Sequence, residues 1–421
     1  MPAPAPLLQA EVTEASIPSI LKSGRMPTWL IVMLGALSAV GPLSTDMYLP
    51  AFPTLEKALG SGSGSAQITL AAWFAGLAIG QFSQGPASDR WGRKRPLVFG
   101  MAIYTIGSIG CALSHDIVSF TACRFLAALG GSAGMVIPRA IVRDVATGNQ
   151  GARIMSQLML VLGVVPVMAP TLGGLVLAVA NWRWIFGVAT LYGIVAVLAV
   201  VLTLPDTLPP AMRLRLSPAE MLGRYLAIGR ERVFLTNTFI VGFATFVVFA
   251  YLAGTPIVFE RILHFSPTGF GVMFGINSFF YILGTQVNAR LVTRVGTVRM
   301  MTGGLVSITF AALTLTLMVL TGLAGPHGYV LAASLPIMWV MGSLGFISPN
   351  ATVMALGAHA RHAGSASALL GTLQFSLGAI SGVLMGVFQA VSVLPMALVI
   401  LTGVAGANLA NLARLRIRAR E

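Results

Sequence analysis

The sequence contains little charge and little cysteine. Only 9% of its 421 residues are Asp, Glu, Lys or Arg, whereas a soluble domain usually carries about 25%. Hydrophobic residues make up 56%, which leaves too little polar surface to cover a soluble core. The two cysteines, Cys111 and Cys123, lie in or beside apolar runs, where packing is their expected role. The composition therefore favours an integral membrane protein.

Motifs that carry enzyme chemistry are also missing. The sequence has no nucleophile elbow, Walker loop or zinc-protease helix motif, so we expect neither an enzyme nor an ATP-driven pump. The run HARH, His359 to His362, has no carboxylate or thiol beside it, and we interpret it as a solvated loop rather than a metal site. We expect no metal and no cofactor.

Long apolar runs dominate the chain, and many approach the ~20 residues with which a helix spans a bilayer. Twelve runs can be distinguished, which predicts an all-α protein with twelve transmembrane helices. Their approximate centres are Gly35, Ala78, Thr105, Ala128, Val165, Gly193, Val247, Gly275, Leu313, Trp339, Ala379 and Gly403.

Lys and Arg are unevenly distributed among the loops between these runs. If the N-terminus is cytoplasmic, 22 of the 26 basic residues fall inside, and only Lys57, Arg183 and Arg261 fall outside. This bias predicts an even number of spans with both termini in the cytoplasm. Because the basic residues are scattered over seven loops and have no aromatic platform for stacking bases beside them, we expect no nucleic-acid partner.

The longest polar break divides the runs into six plus six. GPASDRWG, which ends at Gly92, and ARLVTRVG, which ends at Gly296, both follow the second run of their half. Repeated six-helix halves are a transporter architecture with a site between them. We expect an amphipathic helix within Pro218–Arg232. The predicted segments are a disordered cytoplasmic tail (1–27), an N-terminal half (28–204), a cytoplasmic linker (205–232), a C-terminal half (233–413) and a basic cytoplasmic tail (414–421).

Several motifs resemble one superfamily of transporters. GPASDRWGRK, Gly85 to Lys94, is similar to the loop motif between the second and third helices of the major facilitator superfamily. STDMYLPAFP, CRFLAALGGSAG and RAIVRD resemble its bicyclomycin/chloramphenicol-resistance (Bcr/CflA) branch. The resemblance implies a twelve-helix antiporter, embedded in the lipid bilayer of the bacterial inner membrane, which exchanges protons for small drugs. We expect a monomer.

Asp46 is an acid inside the first apolar run. A carboxylate near the middle of a bilayer must face a cavity or a partner, or be protonated. The resemblance implies that Asp46 belongs to a proton pathway. The alternative is structural, because Pro42 and Pro50 flank Asp46 and a proline kink frees backbone N–H groups that an Asp can accept from.

Arg124 is the other charge within a span. We expect it to face the interior and to interact with Asp46, directly or through water. The resemblance ties it to proton exchange, whereas the alternative is a structural bond to backbone carbonyls.

The candidate substrate-cavity residues are Tyr48, Gln157, Tyr251 and Asn277, for which helix packing is the alternative role.

Glycine-rich faces predict close helix contacts. Gly76 and Gly80 in the second run, and Gly378, Gly382 and Gly386 in the eleventh, recur at four-residue spacing. The resemblance implies that these two helices meet between the halves, so the glycines are expected to line one sliding surface.

The loop motif is the candidate cytoplasmic gate. We expect Asp89 to face the start of the eleventh helix near Ser365, where the helix dipole attracts an acid. Arg90 and Arg93 are expected to pair with acids such as Asp144. The alternative is a tight turn whose charges only set the orientation of the helices in the membrane. The gate motif comprises Gly85, Asp89, Arg90, Gly92, Arg93 and Lys94.

The fifth run carries a partial exporter motif, which keeps Pro170, Gly173 and Gly174 but has Val165 and Ala169 where exporters have glycine. A bent, closely packed fifth helix would seal the outer side. The alternative is a helix that only packs against its neighbours and has no effect on the direction of transport.

The predicted function is proton-coupled multidrug efflux. Uptake or export of a metabolite by the same fold is the alternative, and a channel or receptor is the third hypothesis.

Overall fold

The computed structural model describes residues 27–145, 148–213, 218–324, 329–357, 363–388 and 392–418. Within these ranges the chain consists of helices joined by short turns, and it contains no β-strand. The segment 1–26 and the HARH run at 359–362 lie outside the described residues.

The N-terminal half contains six long helical segments, of which the first is broken into consecutive pieces. Its pieces are Thr28–Ser38, Val40–Asp46, the 3-10 turn Leu49–Ala51, and Phe52–Ala58. The second to sixth helices are Ser65–Trp91, Lys94–Leu113, Ile117–Val145, Gly148–Val179 and Arg183–Thr203.

The C-terminal half repeats the count of six. A short linker helix, Pro218–Arg230, precedes it, as the sequence predicts. The seventh helix ends in a π-helical segment, Ile257–Ile262. The seventh to twelfth helices are Arg232–Pro256, Pro267–Val295, Thr297–Leu320, Val330–Gly357, Ala363–Val387 and Leu394–Arg418.

All twelve predicted centres fall within these twelve helical segments. Nine helices among the described residues are individually long and apolar enough to cross a membrane, and the bent first helix makes a tenth. The second helix contains many Gly, Ala, Ser and Gln residues, and the apolar part of the fifth covers only Val164–Val179. Together with the family and structural comparisons reported below, the helix count confirms twelve transmembrane helices in two six-helix halves.

The halves pack against each other through the second and eleventh helices and through the fifth and eighth. A Cβ at Gly382 would lie 3.1 Å from the Cβ of Ala71, and one at Gly386 would lie 2.8 Å from Ile68. These two glycines of the eleventh helix therefore lie in the interface between the halves, as expected.

The prediction for the other glycines was wrong. Cβ atoms at Gly76 and Gly80 would meet Phe125 and Ser132 of the fourth helix, within the same half. Gly378 faces Phe249 of the seventh helix. The four-residue spacing predicts a close contact, but it does not identify the neighbour, because the rotation of a helix is set by its packing against every helix around it.

Candidate functional site

The break in the first helix positions Asp46 at a cavity between the halves. Regular α-helix ends at Asp46, and a 3-10 turn containing Pro50 follows. The residue is only 4% exposed, but its side chain reaches a cavity of about 250 Å³. Pro166 of the fifth helix is the other lining residue from the N-terminal half.

The remaining wall of this central cavity comes from the C-terminal half. Asp46 is the only side chain with a formal charge among the described residues that line it. The polar groups around it are hydroxyls and one amide, from Thr245, Ser278, Ser348 and Gln374. Five aromatic rings complete the wall: Phe249, Tyr251, Phe274, Tyr281 and Phe375.

Arg124 lies in an aromatic box within the N-terminal half. The residue is 1% exposed, and its guanidinium carbon lies 4.3 Å from the ring centre of Trp73, 4.7 Å from Tyr48 and 5.7 Å from Phe186. A desolvated cation over aromatic faces gains about 2 kcal/mol or more. The aromatic rings therefore offset part of the cost of burying this charge.

Arg124 and Asp46 form no ion pair within 4.0 Å in the described structure. The Arg124 guanidinium instead donates from Nη1 to the backbone carbonyl of Ser44 at 3.2 Å. The predicted direct contact is absent from this conformation, and the alternative contact to a backbone carbonyl is present. Because Ser44 lies two residues before Asp46, Arg124 holds the helical segment that presents the acid.

The four candidate cavity residues are not brought together. Tyr251 lines the central cavity, and Asn277 is fully buried on the eighth helix between two lining residues, Phe274 and Ser278. Tyr48 is 0% exposed and its hydroxyl bonds Thr69 at 2.5 Å, in the aromatic box beside Arg124.

Gln157 is exposed on the fifth helix and does not line the central cavity. A polar or aromatic residue within a span indicates a polar neighbour, but the sequence does not reveal which face of the helix carries it. For this reason, only some of the four predicted residues lie at the central cavity.

The Gly85–Lys94 motif covers the last turns of the second helix and the short turn into the third. It forms a charge network at the end of the bundle that carries the basic loops, here called the basic end. Arg93 donates to Asp89 at 2.5 Å and to Asp144 at 2.7 Å. The predicted pair of Arg93 with Asp144 is therefore present. Arg90 instead lies 5.9 Å from the ring of Trp91.

Asp206 of the linker is a member of this network that the sequence did not suggest. It accepts from the backbone N–H of Arg93 at 2.8 Å and from Arg213 at 2.9 Å. Gly92 has a φ of 86°, and a Cβ there would lie 2.0 Å from a carboxylate oxygen of Asp206. Glycine is therefore needed at position 92 both for its φ and for space. Lys94 reaches across to the carbonyl of Val201.

A crevice of about 400 Å³ opens at the basic end between the halves. The second and fourth helices line one side, and the tenth and eleventh line the other. Asp89 and Ser365 lie on its wall, so the acid is near the start of the eleventh helix. Gly85 faces Ala368 of the same helix, with 3.8 Å between its ideal Cβ and the alanine Cβ.

The fifth-helix motif lies between the first and eighth helices. A Cβ at Gly173 would lie 2.0 Å from the carbonyl oxygen of Met47, and one at Gly174 would lie 3.0 Å from that of Pro267. Pro170 is buried just before them. The two glycines therefore allow the fifth helix to approach the break in the first helix and the beginning of the eighth.

The opposite end of the bundle is closed by a link between the halves that sequence reasoning missed. Arg261 forms a short hydrogen-bonded ion pair with Glu56 and also donates to Ser63 at 2.7 Å. The Glu56 carboxylate accepts from the backbone N–H groups of Gly64 and Ala66. The sequence offers little indication of this pair, because Glu56 and Arg261 both resemble ordinary loop charges.

Comparisons with known proteins agree with this architecture. The family model of the Major Facilitator Superfamily matches residues 34–383. An uncharacterized MFS-type transporter, YdgK of Bacillus subtilis (strain 168), is 35% identical over 389 residues, which cover 91% of this chain and 95% of that protein. The bicyclomycin resistance protein homolog of Haemophilus influenzae (strain ATCC 51907 / DSM 11121 / KW20 / Rd) is 29% identical, covering 87% of this chain and 91% of that protein.

Solved structures show the same fold at low sequence identity. A peptide transporter POT in complex with sulfate has a TM-score of 0.72 at 16% identity, covering 97% of this chain and 98% of that one. A D-xylose-proton symporter has a TM-score of 0.68 at 14% identity, covering 91% and 96%. The family and fold are those of membrane transporters, and the chain belongs to the Major Facilitator Superfamily.

Proposed function

We propose that this transporter is a drug:proton antiporter of the Bcr/CflA branch, which exports small amphipathic antibiotics across the bacterial inner membrane. The observation that carries the proposal is the position of Asp46. It is the only carboxyl group on the described wall of the central cavity. A carboxyl group that can exchange a proton with a transport cavity is the chemical requirement for coupling.

The coupling step is a reversible protonation of this carboxyl group. From the outward-facing state, the Asp46 carboxylate takes one proton and becomes a neutral acid. After the cavity turns inward, the same O–H bond breaks and the proton leaves to the cytoplasm. Drug binding favours the deprotonated form, and the drug then moves outward. A proton moving down 100 mV supplies about 2.3 kcal/mol, which biases the access equilibrium.

The proposed orientation places the basic end in the cytoplasm, with both termini inside. The excess of Lys and Arg at that end supports it. In this orientation the Glu56–Arg261 pair closes the periplasmic side, while the crevice beside Asp89 faces the cytoplasm. The described conformation then corresponds to a state closed to the outside.

The names of relatives support the drug class. One relative is named a bicyclomycin resistance protein homolog. The multidrug resistance protein MdtL of Escherichia coli (strain K12) is 29% identical over 230 residues, covering 55% of this chain and 58% of that protein. Aromatic walls with a few hydroxyl groups suit small amphipathic molecules of varied structure.

Transport direction is tested with sealed vesicles that contain the purified protein in one known orientation. An imposed proton gradient should drive an antibiotic against the direction of proton flow, and an uncoupler should abolish the movement. Vesicles without protein provide the control for passive leakage. Movement of the drug in the same direction as the protons would identify an uptake symporter and would refute the proposal.

A further inference from the structure

A second pocket, of about 300 Å³, lies at the basic end beside the linker helix. The end of the second helix forms one wall, the linker helix forms another, and Ser365 of the eleventh helix completes it. Most of the lining surface is apolar, and two arginines also line the pocket. The lining includes Phe82, Pro86, Arg90, Trp91, Met221 and Arg224.

The pocket carries excess positive charge. Its described lining holds two arginines and one acid, Asp89, and Asp89 is paired at 2.5 Å with Arg93, which also binds Asp144. Among the described residues, no acid lies within 4.0 Å of Arg90 or Arg224. Two guanidinium groups therefore remain available to an anion at this site.

The surroundings of the pocket are those of a membrane interface. Trp91 is 54% exposed, and Leu222 and Leu226, one turn apart on the linker helix, are each 52% exposed. The other face of this helix is fixed to the protein, because the hydroxyl of Tyr225 bonds the carbonyl of Phe82 at 3.3 Å and their rings lie 4.6 Å apart. Exposed Trp and Leu beside arginines are typical of a helix at the lipid headgroup level.

We propose that this pocket binds an anionic phospholipid. Arg90 and Arg224 hold its phosphate by charge-assisted hydrogen bonds, and the upper acyl chain packs against Phe82, Pro86 and Met221. A soluble anion would use the arginines but not the apolar wall, whereas a zwitterionic lipid would bring a cation close to the arginines. An anionic lipid satisfies both features.

The bound lipid would connect the second helix with the linker helix. Arg90 lies on the former and Arg224 on the latter. Since the linker helix also contacts the eleventh helix, the lipid would hold together elements of both halves at the basic end. This inference is independent of the transported substrate and of the direction of transport.

Native mass spectrometry of the purified protein tests the site. Phosphatidylglycerol, phosphatidylcholine and inorganic phosphate are added separately. We expect phosphatidylglycerol to be retained preferentially, and its retention to fall roughly tenfold or more in R90Q/R224Q. The matched control is R290Q/R294Q, which removes two charges from the end of the eighth helix and should retain the lipid as the unmodified protein does.

Three results would overturn the proposal: equal retention of phosphatidylcholine and phosphatidylglycerol, unchanged retention in R90Q/R224Q, or displacement of the lipid by inorganic phosphate. If the double variant does not fold, the single variants R90Q and R224Q are measured instead, and each should weaken retention of phosphatidylglycerol. R90K/R224K should keep part of the preference, because it preserves the charge and removes only the planar fork.

Discussion

Arg261 at the end of the seventh helix forms an ion pair with Glu56 at the end of the first, and so joins the two halves across the end opposite the basic loops. Glu56 is buried and also accepts from two backbone N–H groups at the start of the second helix. Opening this end must separate the pair, so the contact stabilises the closed state.

The first prediction concerns Arg261→Gln. Loss of one charge-assisted contact is expected to shift the opening equilibrium by about 1–3 kcal/mol, or about 5- to 150-fold, toward the open state. Spin labels at Lys57 and Thr268, both exposed at this end, measure the distance between the halves. Arg183→Gln is the matched control, because Arg183 stacks on Trp182 within one half. An unchanged distance distribution in Arg261→Gln would show that the pair does not hold the halves together.

The second prediction concerns close packing at Gly173. Gly173→Ala places a Cβ 2.0 Å from the carbonyl of Met47, and relief of that clash is expected to cost about 1–3 kcal/mol of stability. The melting temperature of the purified protein measures the loss. Gly303→Ala is the control, because no heavy atom lies within 4 Å of the new Cβ there. Equal melting temperatures for the two variants would contradict the packing.

The third prediction concerns the loop motif. Asp89→Asn removes the negative charge that lies near the start of the eleventh helix, across the crevice between the halves. Because that charge interacts favourably with the helix dipole, the basic end is expected to open more readily and transport to fall. The reactivity of a cysteine at position 365, on the crevice wall, should increase. Asp116→Asn is a suitable control, since this exposed acid caps the fourth helix and Asn is an equally good cap. Unchanged reactivity in Asp89→Asn would refute the gating role.

The fourth prediction concerns orientation. Reporter fusions after Thr207 and at the C-terminus should both be cytoplasmic, because the basic residues concentrate at one end of the bundle. A fusion after Ser61, in the turn following the first helix, should report the periplasm. A periplasmic signal from Thr207 would reverse the proposed orientation.

Much of the fold could be predicted from the sequence, because each transmembrane helix must satisfy its own backbone and expose apolar residues. Run length and loop charge therefore predicted the twelve helices. Side-chain direction could not be predicted in the same way. The aromatic box around Arg124 depends on helix rotation, and the Glu56–Arg261 pair joins residues about two hundred positions apart in the chain.

The site shows the same division between chemistry and geometry. A carboxylate within an apolar run indicated a cavity, and Asp46 does line one. Its expected contact with Arg124 is replaced by the bond from Arg124 to the Ser44 carbonyl. Pro42 and Pro50 indicated a break in the helix, but they did not indicate the direction of the Asp46 side chain.

Proton release on drug binding tests the central claim most directly. Purified protein in weakly buffered solution is titrated with a transported antibiotic, and the released protons are measured with a pH indicator. At an antibiotic concentration that saturates each protein, the account predicts release from the unmodified protein and none from Asp46→Asn, whose side chain is similar in size but cannot ionise. Proton release from Asp46→Asn equal to that of the unmodified protein would contradict the account.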